Sequence, residues 1–163
     1  MQSYHLSRMS TLPIVPALDR LPIARPQPGP QPVSAAPRND LVDTDLQPLL
    51  VEFYAAIACD ALLAPYFESL DMADHIPRIA DFWSTLLFHS GRYTGNAFRP
   101  HLEMPGLRGE HFARWLATLE ATLDASYAGP NVERMKSYAH RVGYSMQLRL
   151  GIAPATTYRI DSL

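Results

Sequence analysis

Four runs of apolar residues at helical spacing constrain what this chain can fold into. In the ranges 46–57, 75–87, 112–123 and 132–146, apolar residues recur at steps of three and four, which places them on one face of a helix. Between the second and third runs, the range 98–107 contains two prolines and a glycine and cannot form a long helix. No alternating strand pattern appears in the sequence. We therefore predict an all-α protein with two helix pairs and an irregular segment between them.

Helix start and stop signals flank these runs. Asp43 or Asp45 is placed to cap the first helix, and Asp71 or Asp74 is placed to cap the second. Pro77 falls early enough in the second helix to be tolerated. The predicted stop signals are Gly91 and Gly95 after the second run, Gly129-Pro130 after the third, and Gly151 with Pro154 after the fourth.

The beginning of the chain differs in composition from the rest. The first 38 residues hold eight of the fifteen prolines, four arginines and one aspartate. Closely spaced prolines remove backbone donors and favour extended polyproline conformations, and they oppose the amphipathic helix of a transit peptide. We predict a disordered or extended Pro-rich tail at 1–39, a helical domain at 40–153 and a C-terminal tail at 154–163.

Composition narrows the classes of function. Hydrophobic residues at 47% are enough for a core, and a formal charge of −2 gives no basic field that would attract nucleic acid or an anionic membrane. The single cysteine, Cys59, excludes an internal disulfide, a multi-cysteine zinc site and the two-cysteine attachment of c-type haem, and we expect it to be buried. No apolar run approaches the ~18–20 residues of a membrane span. We expect a soluble cytoplasmic protein.

His101 is the first residue that could carry chemistry. Pro100 fixes the approach of the chain, and neighbours such as Leu102 supply apolar surface around the ring. A histidine that binds a haem iron is neutral, sits in a dry wall and has its other nitrogen held by a carbonyl or carboxylate, for which Glu103 and nearby carbonyls are candidates. Taken alone, a histidine in such a segment is more often a loop residue with no ligand to bind, so His101 by itself is a weak signal.

Tyr54 and His75 lie on the apolar faces of the first two predicted helices. A buried tyrosine hydroxyl needs a hydrogen-bond partner, and a buried neutral histidine needs one or two. Either the two side chains satisfy each other or a backbone carbonyl, or both point into a cavity where a polar ligand completes the network. Trp83 and Trp115 are predicted core residues, one of which can turn its indole N–H toward such a cavity. No role is predicted for three histidines expected at the surface or rim, His89, His111 and His140.

The order and spacing of these residues resemble the group III truncated haemoglobins, small bacterial globins with a two-on-two helical sandwich around a haem. The resemblance covers about residues 46–146. The matching pieces are Phe53-Tyr54, Leu63-Ala64-Pro65-Tyr66-Phe67, His75 followed by Phe82-Trp83, Tyr93-Thr94-Gly95, His101-Leu102, and Phe112 followed by Trp115-Leu116. The Pro-rich tail and Pro77 depart from the family pattern.

The resemblance implies roles for individual residues. It makes His101 the proximal iron ligand, Tyr54 the distal hydroxyl donor and His75 the distal histidine. Phe53 and Trp115 complete the distal pocket, while Phe67, Ile79 and Phe82 are expected to contact the porphyrin. Three residues beside the irregular segment could reach the carboxylates of a bound haem or be ordinary solvated side chains, namely Arg92, Tyr93 and Arg99.

The function implied by the resemblance is binding of O₂, and of other small ligands such as CO, NO and cyanide, at a five-coordinate heme b (iron protoporphyrin IX). Two distal donors imply tight binding, which suits NO, reactive-species or O₂-linked redox chemistry with an unidentified reductase better than bulk transport. Whether the chain is an enzyme, as an NO dioxygenase or a peroxidase, stays open at this point. The alternatives are a haem-free interaction module that uses its Pro-rich tail, and a gas or redox sensor, for which no output domain is visible.

Overall fold

The computed structural model describes residues 38–153. The predicted tails at 1–39 and 154–163 lie outside these residues, apart from Arg38 and Asn39. Within the described range, no helix is long and apolar enough to cross a membrane.

Four α-helices and three short 3₁₀ turns make up the described domain. Helix α1 spans Leu46–Ala58, α2 spans Met72–Phe88, α3 spans Gly109–Ser126 and α4 spans Pro130–Arg149. The 3₁₀ turns are Asp43–Asp45, Ala64–Tyr66 and Arg99–Glu103. Residues 38–153 contain no strand, so the prediction of an all-α protein is confirmed.

The four helices pack as two pairs. Helix α1 packs on α2 and α3 packs on α4, while contacts between α1 and α3 and between α2 and α4 join the pairs. This is the predicted two-on-two sandwich. Each helix turns its apolar face inward, because burying these side chains removes their surface from water. The fully buried large side chains include Leu46, Leu49, Leu50, Phe53 and Ile57 of α1, Trp83 and Leu87 of α2, Leu119 and Leu123 of α3, and Met135 of α4.

Local capping sets the ends of α2. The Asp71 carboxylate accepts the backbone N–H of Ala73 at 2.9 Å, which confirms Asp71 as the cap. Pro77 lies inside α2 without ending it, as predicted. The stop signal differs from the prediction: the helix ends before Gly91, where His89 adopts the left-handed conformation (φ 56°) and donates its N–H to the Ser84 carbonyl.

A residue far away in sequence caps α4. The Asp40 carboxylate accepts the backbone N–H groups of Asn131, at 3.0 Å, and Val132, at 3.2 Å. The Asn131 side chain donates in return to the Leu41 carbonyl at 2.9 Å. These bonds attach the segment before α1 to the start of α4, so the first and last described helices are joined by polar contacts as well as by the core.

Two expectations about single residues are wrong. Cys59 is exposed and not buried, because it follows the last residue of α1 on a surface turn. His111 is only 5% exposed and lies in the first turn of α3, where its Nδ1 accepts the backbone N–H of Arg108 at 3.0 Å. Its ring meets the edge of the Tyr66 ring at 5.2 Å. A polar side chain at the third position of a helix can accept the backbone N–H of the cap residue. The position of His111, three residues after Arg108, is the sequence feature that could have indicated this contact.

Candidate functional site

An aromatic cluster brings together the four residues predicted for the distal pocket and Phe67, which was predicted to contact the porphyrin. Phe53 and Tyr54 on α1 contact each other with ring centroids 5.0 Å apart. Phe53 also meets Trp115 of α3 at 5.4 Å, and Tyr54 meets Phe67 at 5.6 Å and His75 of α2 at 5.0 Å. Most of these pairs are edge-to-face, the arrangement that aromatic rings favour. The cluster fixes the positions of two polar groups, the Tyr54 hydroxyl and the His75 imidazole, among apolar side chains.

Those two polar groups are hydrogen-bonded to each other. The Tyr54 hydroxyl lies 2.9 Å from Nε2 of His75, and Tyr54 is only 6% exposed. The His75 backbone N–H donates to the Asp71 carbonyl at 2.8 Å, so the first turn of α2 holds the ring in place despite Pro77. The sequence left open whether the two side chains satisfy each other, and the structure shows that they do.

Burial controls the protonation of this pair. It raises the pKa of Tyr54, so the hydroxyl keeps its proton at neutral pH. Burial also lowers the pKa of His75, with a smaller contribution from the positive charge of Arg78, so the imidazole is neutral. If Nε2 of His75 carries the ring proton, it donates to the Tyr54 oxygen, and the tyrosine O–H is free to donate elsewhere. The pair can therefore present a hydroxyl donor to a third polar group.

His101 lies on the Arg99–Glu103 turn, where a short local network orients it. Its Nδ1 lies 2.9 Å from the Ala97 carbonyl oxygen, and its backbone N–H donates to Phe98 at 3.1 Å. Because a carbonyl oxygen can only accept, Nδ1 carries the proton, and Nε2 keeps its lone pair. Burial lowers the pKa of His101, partly opposed by the bond to Ala97, so the ring is neutral. The partner is a backbone carbonyl, one of the predicted candidates, and not the Glu103 carboxylate.

This donor set fits an axial metal ligand. A ligating imidazole must be neutral and needs its second nitrogen held by an acceptor, and His101 meets both conditions. Within residues 38–153, no hydrogen bond or ring contact joins His101 to the Tyr54–His75 pair. The two halves of the predicted site are thus separate constellations on different elements.

Two further predicted haem contacts meet at the end of α2. The Phe82 ring lies edge-on to the rings of Trp83 and Tyr93, with centroids 5.3 Å away in both cases. The Tyr93 backbone N–H donates to Thr85 Oγ1 at 3.0 Å, which holds the segment after α2 against that helix. Ile79, one turn after His75, is half-buried against the core.

Arg92, predicted to reach a haem carboxylate, binds two carboxylates of this chain. Its guanidinium contacts both oxygens of Asp43 at 3.0 Å, and Nε contacts Asp81 at 2.8 Å. Arg92 therefore joins the segment after α2 to the turn before α1 and to α2 itself. Any other anion would have to compete with these two carboxylates. Arg99 is exposed, and its backbone N–H donates to Asn96 Oδ1 at 3.3 Å.

A cleft of about 530 Å³ adjoins the His101 segment, which is within the ~300–1,000 Å³ typical of cofactor and ligand pockets. It lies between the end of α2, residues 93–98 and the C-terminal half of α4. Ala97, whose carbonyl orients His101, belongs to its wall. The lining also includes two α4 residues, Arg141 and Arg149, to which the sequence gave no role. Their spacing of eight residues, which places both on one face of α4, is the sequence feature that could have identified them.

Two known proteins resemble this chain, one in sequence and one in fold. No protein-family model matches the chain. A curated relative, the group 3 truncated hemoglobin ctb of Campylobacter jejuni, is 29% identical over 85 residues, which covers 48% of this chain and 67% of the relative. The crystal structure of the group III truncated hemoglobin from Campylobacter jejuni matches with a TM-score of 0.63 and 24% identity, covering 70% of this chain and 94% of the other. In sequence and in fold the chain is thus similar to the group III truncated haemoglobins, the family that its sequence was predicted to resemble.

Proposed function

We propose that this chain binds heme b with His101 as the proximal ligand and holds small diatomic ligands on the opposite side, beside Tyr54 and His75. The observation that carries the proposal is the His101–Ala97 bond, which leaves Nε2 of a neutral, half-buried imidazole as a lone-pair donor. A haem bound there would supply the iron, and His101 alone could hold it from the protein side. The lone cysteine fits a non-covalently held haem.

The role of Tyr54 and His75 follows from their mutual bond. Nε2 of His75 is engaged with the Tyr54 hydroxyl, which supports a five-coordinate iron over one that binds both histidines. A tyrosine kept protonated by burial can donate to an acceptor that carries partial negative charge. Such a charge-assisted bond contributes about 1.5–3 kcal/mol, or roughly ten- to hundredfold in affinity. Trp115 packs on Phe53 beside this pair, which supports the proposal that it is a second donor of the same pocket.

Strong retention of O₂ favours ligand chemistry over bulk transport. We propose NO or reactive-species chemistry, or O₂-linked redox chemistry, supplied with electrons by a separate reductase. An enzymatic activity and a cytoplasmic location are part of this proposal and stay predictions.

The test is the absorbance spectrum of the purified protein, loaded with hemin if needed, for wild type and His101→Ala. We expect a sharp Soret band and globin-like ferrous–CO features in wild type, and their loss or gross change in His101→Ala. The matched control is His89→Asn, because His89 is exposed and asparagine tolerates its left-handed backbone. An unchanged spectrum in His101→Ala would show that His101 does not bind the iron. A folded wild type that stays colourless with hemin would favour the haem-free module.

A further inference from the structure

A second cleft lies between the turn that follows α1 and the start of α3, and none of its lining residues is proposed to hold the haem or its ligand. Its volume is about 510 Å³, within the ~300–1,000 Å³ typical of small-molecule pockets. Four of its eight lining residues fall in the range 61–66, three fall in the range 105–108, and the last is His111. It shares no lining residue with the cleft beside the His101 segment. We therefore consider it as a separate binding site.

Most of the second cleft is lined by apolar and rigid side chains. Pro65 and Pro105 each contribute a ring that has no rotamers to lose, and Leu62 adds an aliphatic side chain. The Tyr66 hydroxyl donates to the Pro105 carbonyl at 3.3 Å, which joins the two segments and holds the Tyr66 ring in place. An aromatic occupant would pack well against such surfaces, because they need little ordering when it binds.

His111 adds one polar group to these apolar surfaces. Its side chain is only 5% exposed, and its Nδ1 lies 3.0 Å from the backbone nitrogen of Arg108, closer than the Arg108 carbonyl at 3.3 Å. Because a backbone N–H can only donate, Nδ1 accepts this bond and Nε2 carries the ring proton. Nε2 bonds to no group within residues 38–153, yet it is not sealed from solvent. Since the ring lines the second cleft, this N–H is a donor for an occupant of the cleft.

The charge beside the second cleft is already balanced. Arg108 is the only arginine or lysine among the eight lining residues, and no aspartate or glutamate is among them. The Nε of Arg108 donates to the Glu110 carboxylate at 2.8 Å. An anionic occupant would have to compete with Glu110 for this guanidinium. A neutral occupant meets no such competition.

We infer that the second cleft binds a small neutral aromatic molecule that carries a carbonyl oxygen. The oxygen accepts the Nε2–H of His111, and the aromatic ring packs against Tyr66 and the two prolines of the lining. A carbonyl oxygen is the acceptor that this site lacks, whereas a purely apolar ring would leave the buried N–H without a partner. The inference does not depend on the proposed function.

The experiment titrates three probes into the full chain and follows them by NMR. Acetophenone has the ring and the carbonyl, toluene has the ring alone, and benzoate has the ring with a negative charge. The backbone amides of Leu62 and Gly106 report binding, and the Nε2 resonance of His111 reports the hydrogen bond. Where the chain holds hemin, its ferrous–CO form is used, so that the haem pocket is filled.

The variant is His111→Phe, which keeps a ring beside Tyr66 but has no donor. The matched control is His140→Gln, because His140 lies on α4 and does not line the second cleft. Circular dichroism verifies that both variants are folded.

We expect acetophenone to bind about two- to tenfold more tightly than toluene, which is the contribution of one neutral hydrogen bond. Acetophenone, and not toluene, should shift the Nε2 resonance of His111. His111→Phe should abolish the preference for acetophenone, and His140→Gln should retain it.

Three outcomes would overturn the inference. They are no binding of acetophenone, binding no tighter than that of toluene or without a shift of Nε2, and tighter binding of benzoate, which would indicate an anion site at Arg108. The measurements on the wild type decide the question even if His111→Phe does not fold. Failure of the chain to bind hemin would overturn the proposed function alone, because none of these titrations needs hemin.

Discussion

Replacing Asp40 by alanine should destabilise the fold more than any local helix cap does. Its carboxylate accepts backbone N–H groups at the start of α4, from Asn131 at 3.0 Å and from Val132 at 3.2 Å. It also accepts the N–H of Leu41 at 2.9 Å. Two of these three bonds link positions 91 and 92 residues apart. The alanine variant would leave the first turn of α4 uncapped and free the segment before α1.

The size of the effect follows from these contacts. Loss of a helix N-cap costs about 0.5–2 kcal/mol. Loss of a negative charge beside the positive end of a helix costs a further ~0.3–1 kcal/mol. We therefore expect Asp40→Ala to lower the free energy of unfolding by about 1–3 kcal/mol. Asp40→Asn keeps one acceptor oxygen and loses the charge, so it should cost only about 0.3–1 kcal/mol.

Asp71→Ala is the matched comparison. Asp71 also caps a helix, but its carboxylate accepts a local bond, from the N–H of Ala73 two residues away. Its removal should cost about 0.5–1 kcal/mol. Urea unfolding followed by circular dichroism gives all three values, provided that the slope with denaturant stays the same. If Asp40→Ala proves no more destabilising than Asp71→Ala, the long-range cap adds nothing beyond a local one, and the reasoning fails.

Three further predictions concern other parts of the domain. The pKa of His75 is lowered in the folded state, so the unfolded chain takes up the proton first as the pH falls below about 6.5. The stability that this histidine contributes is therefore present above that pH and declines below it. His75→Gln should flatten this decline in urea midpoints measured between about pH 7 and 5. Gly129→Ala should cost about 2–5 kcal/mol in the same assay, because φ is 153° and the added Cβ would lie 2.5 Å from Asp40; a loss under about 1 kcal/mol would contradict this. Arg92→Gln should speed amide exchange at residues 89–98 by releasing them from Asp43, and unchanged exchange would show that the ion pair does not hold this segment.

The fold was predictable because the features that determine it are periodic and local. Apolar residues at steps of three and four identified each helix, and one side chain, Asp71, was recognisable as a cap from its position before α2. The stop signal of α2 was misplaced because histidine rarely adopts the left-handed conformation that His89 has here, and glycine is the usual choice.

The sequence offered candidate residues for a site, but not the contacts between them. Tyr54 and His75 are 21 positions apart, and periodicity can place both on inward faces without showing that they bond to each other. The ion pair of Arg92 with Asp43 spans 49 positions and has no local sequence signature. Only the three-dimensional arrangement shows that Arg92 is engaged, while Arg141 and Arg149 face the cleft.

The two halves of the candidate site are held by different kinds of contact, and this difference has consequences for mutation. Tyr54 and its aromatic neighbours are part of the hydrophobic core, so most substitutions there change stability and ligand binding together. His101 is held by short local bonds, from its ring to Ala97 and from the turn to the Asn96 side chain, which accepts N–H groups of two following residues. Because few core contacts depend on that turn, substitutions in it should leave the helical sandwich folded and, under the proposed function, alter haem attachment. Substitutions beside His101 should thus cost the fold little, whereas those beside Tyr54 are constrained by the core.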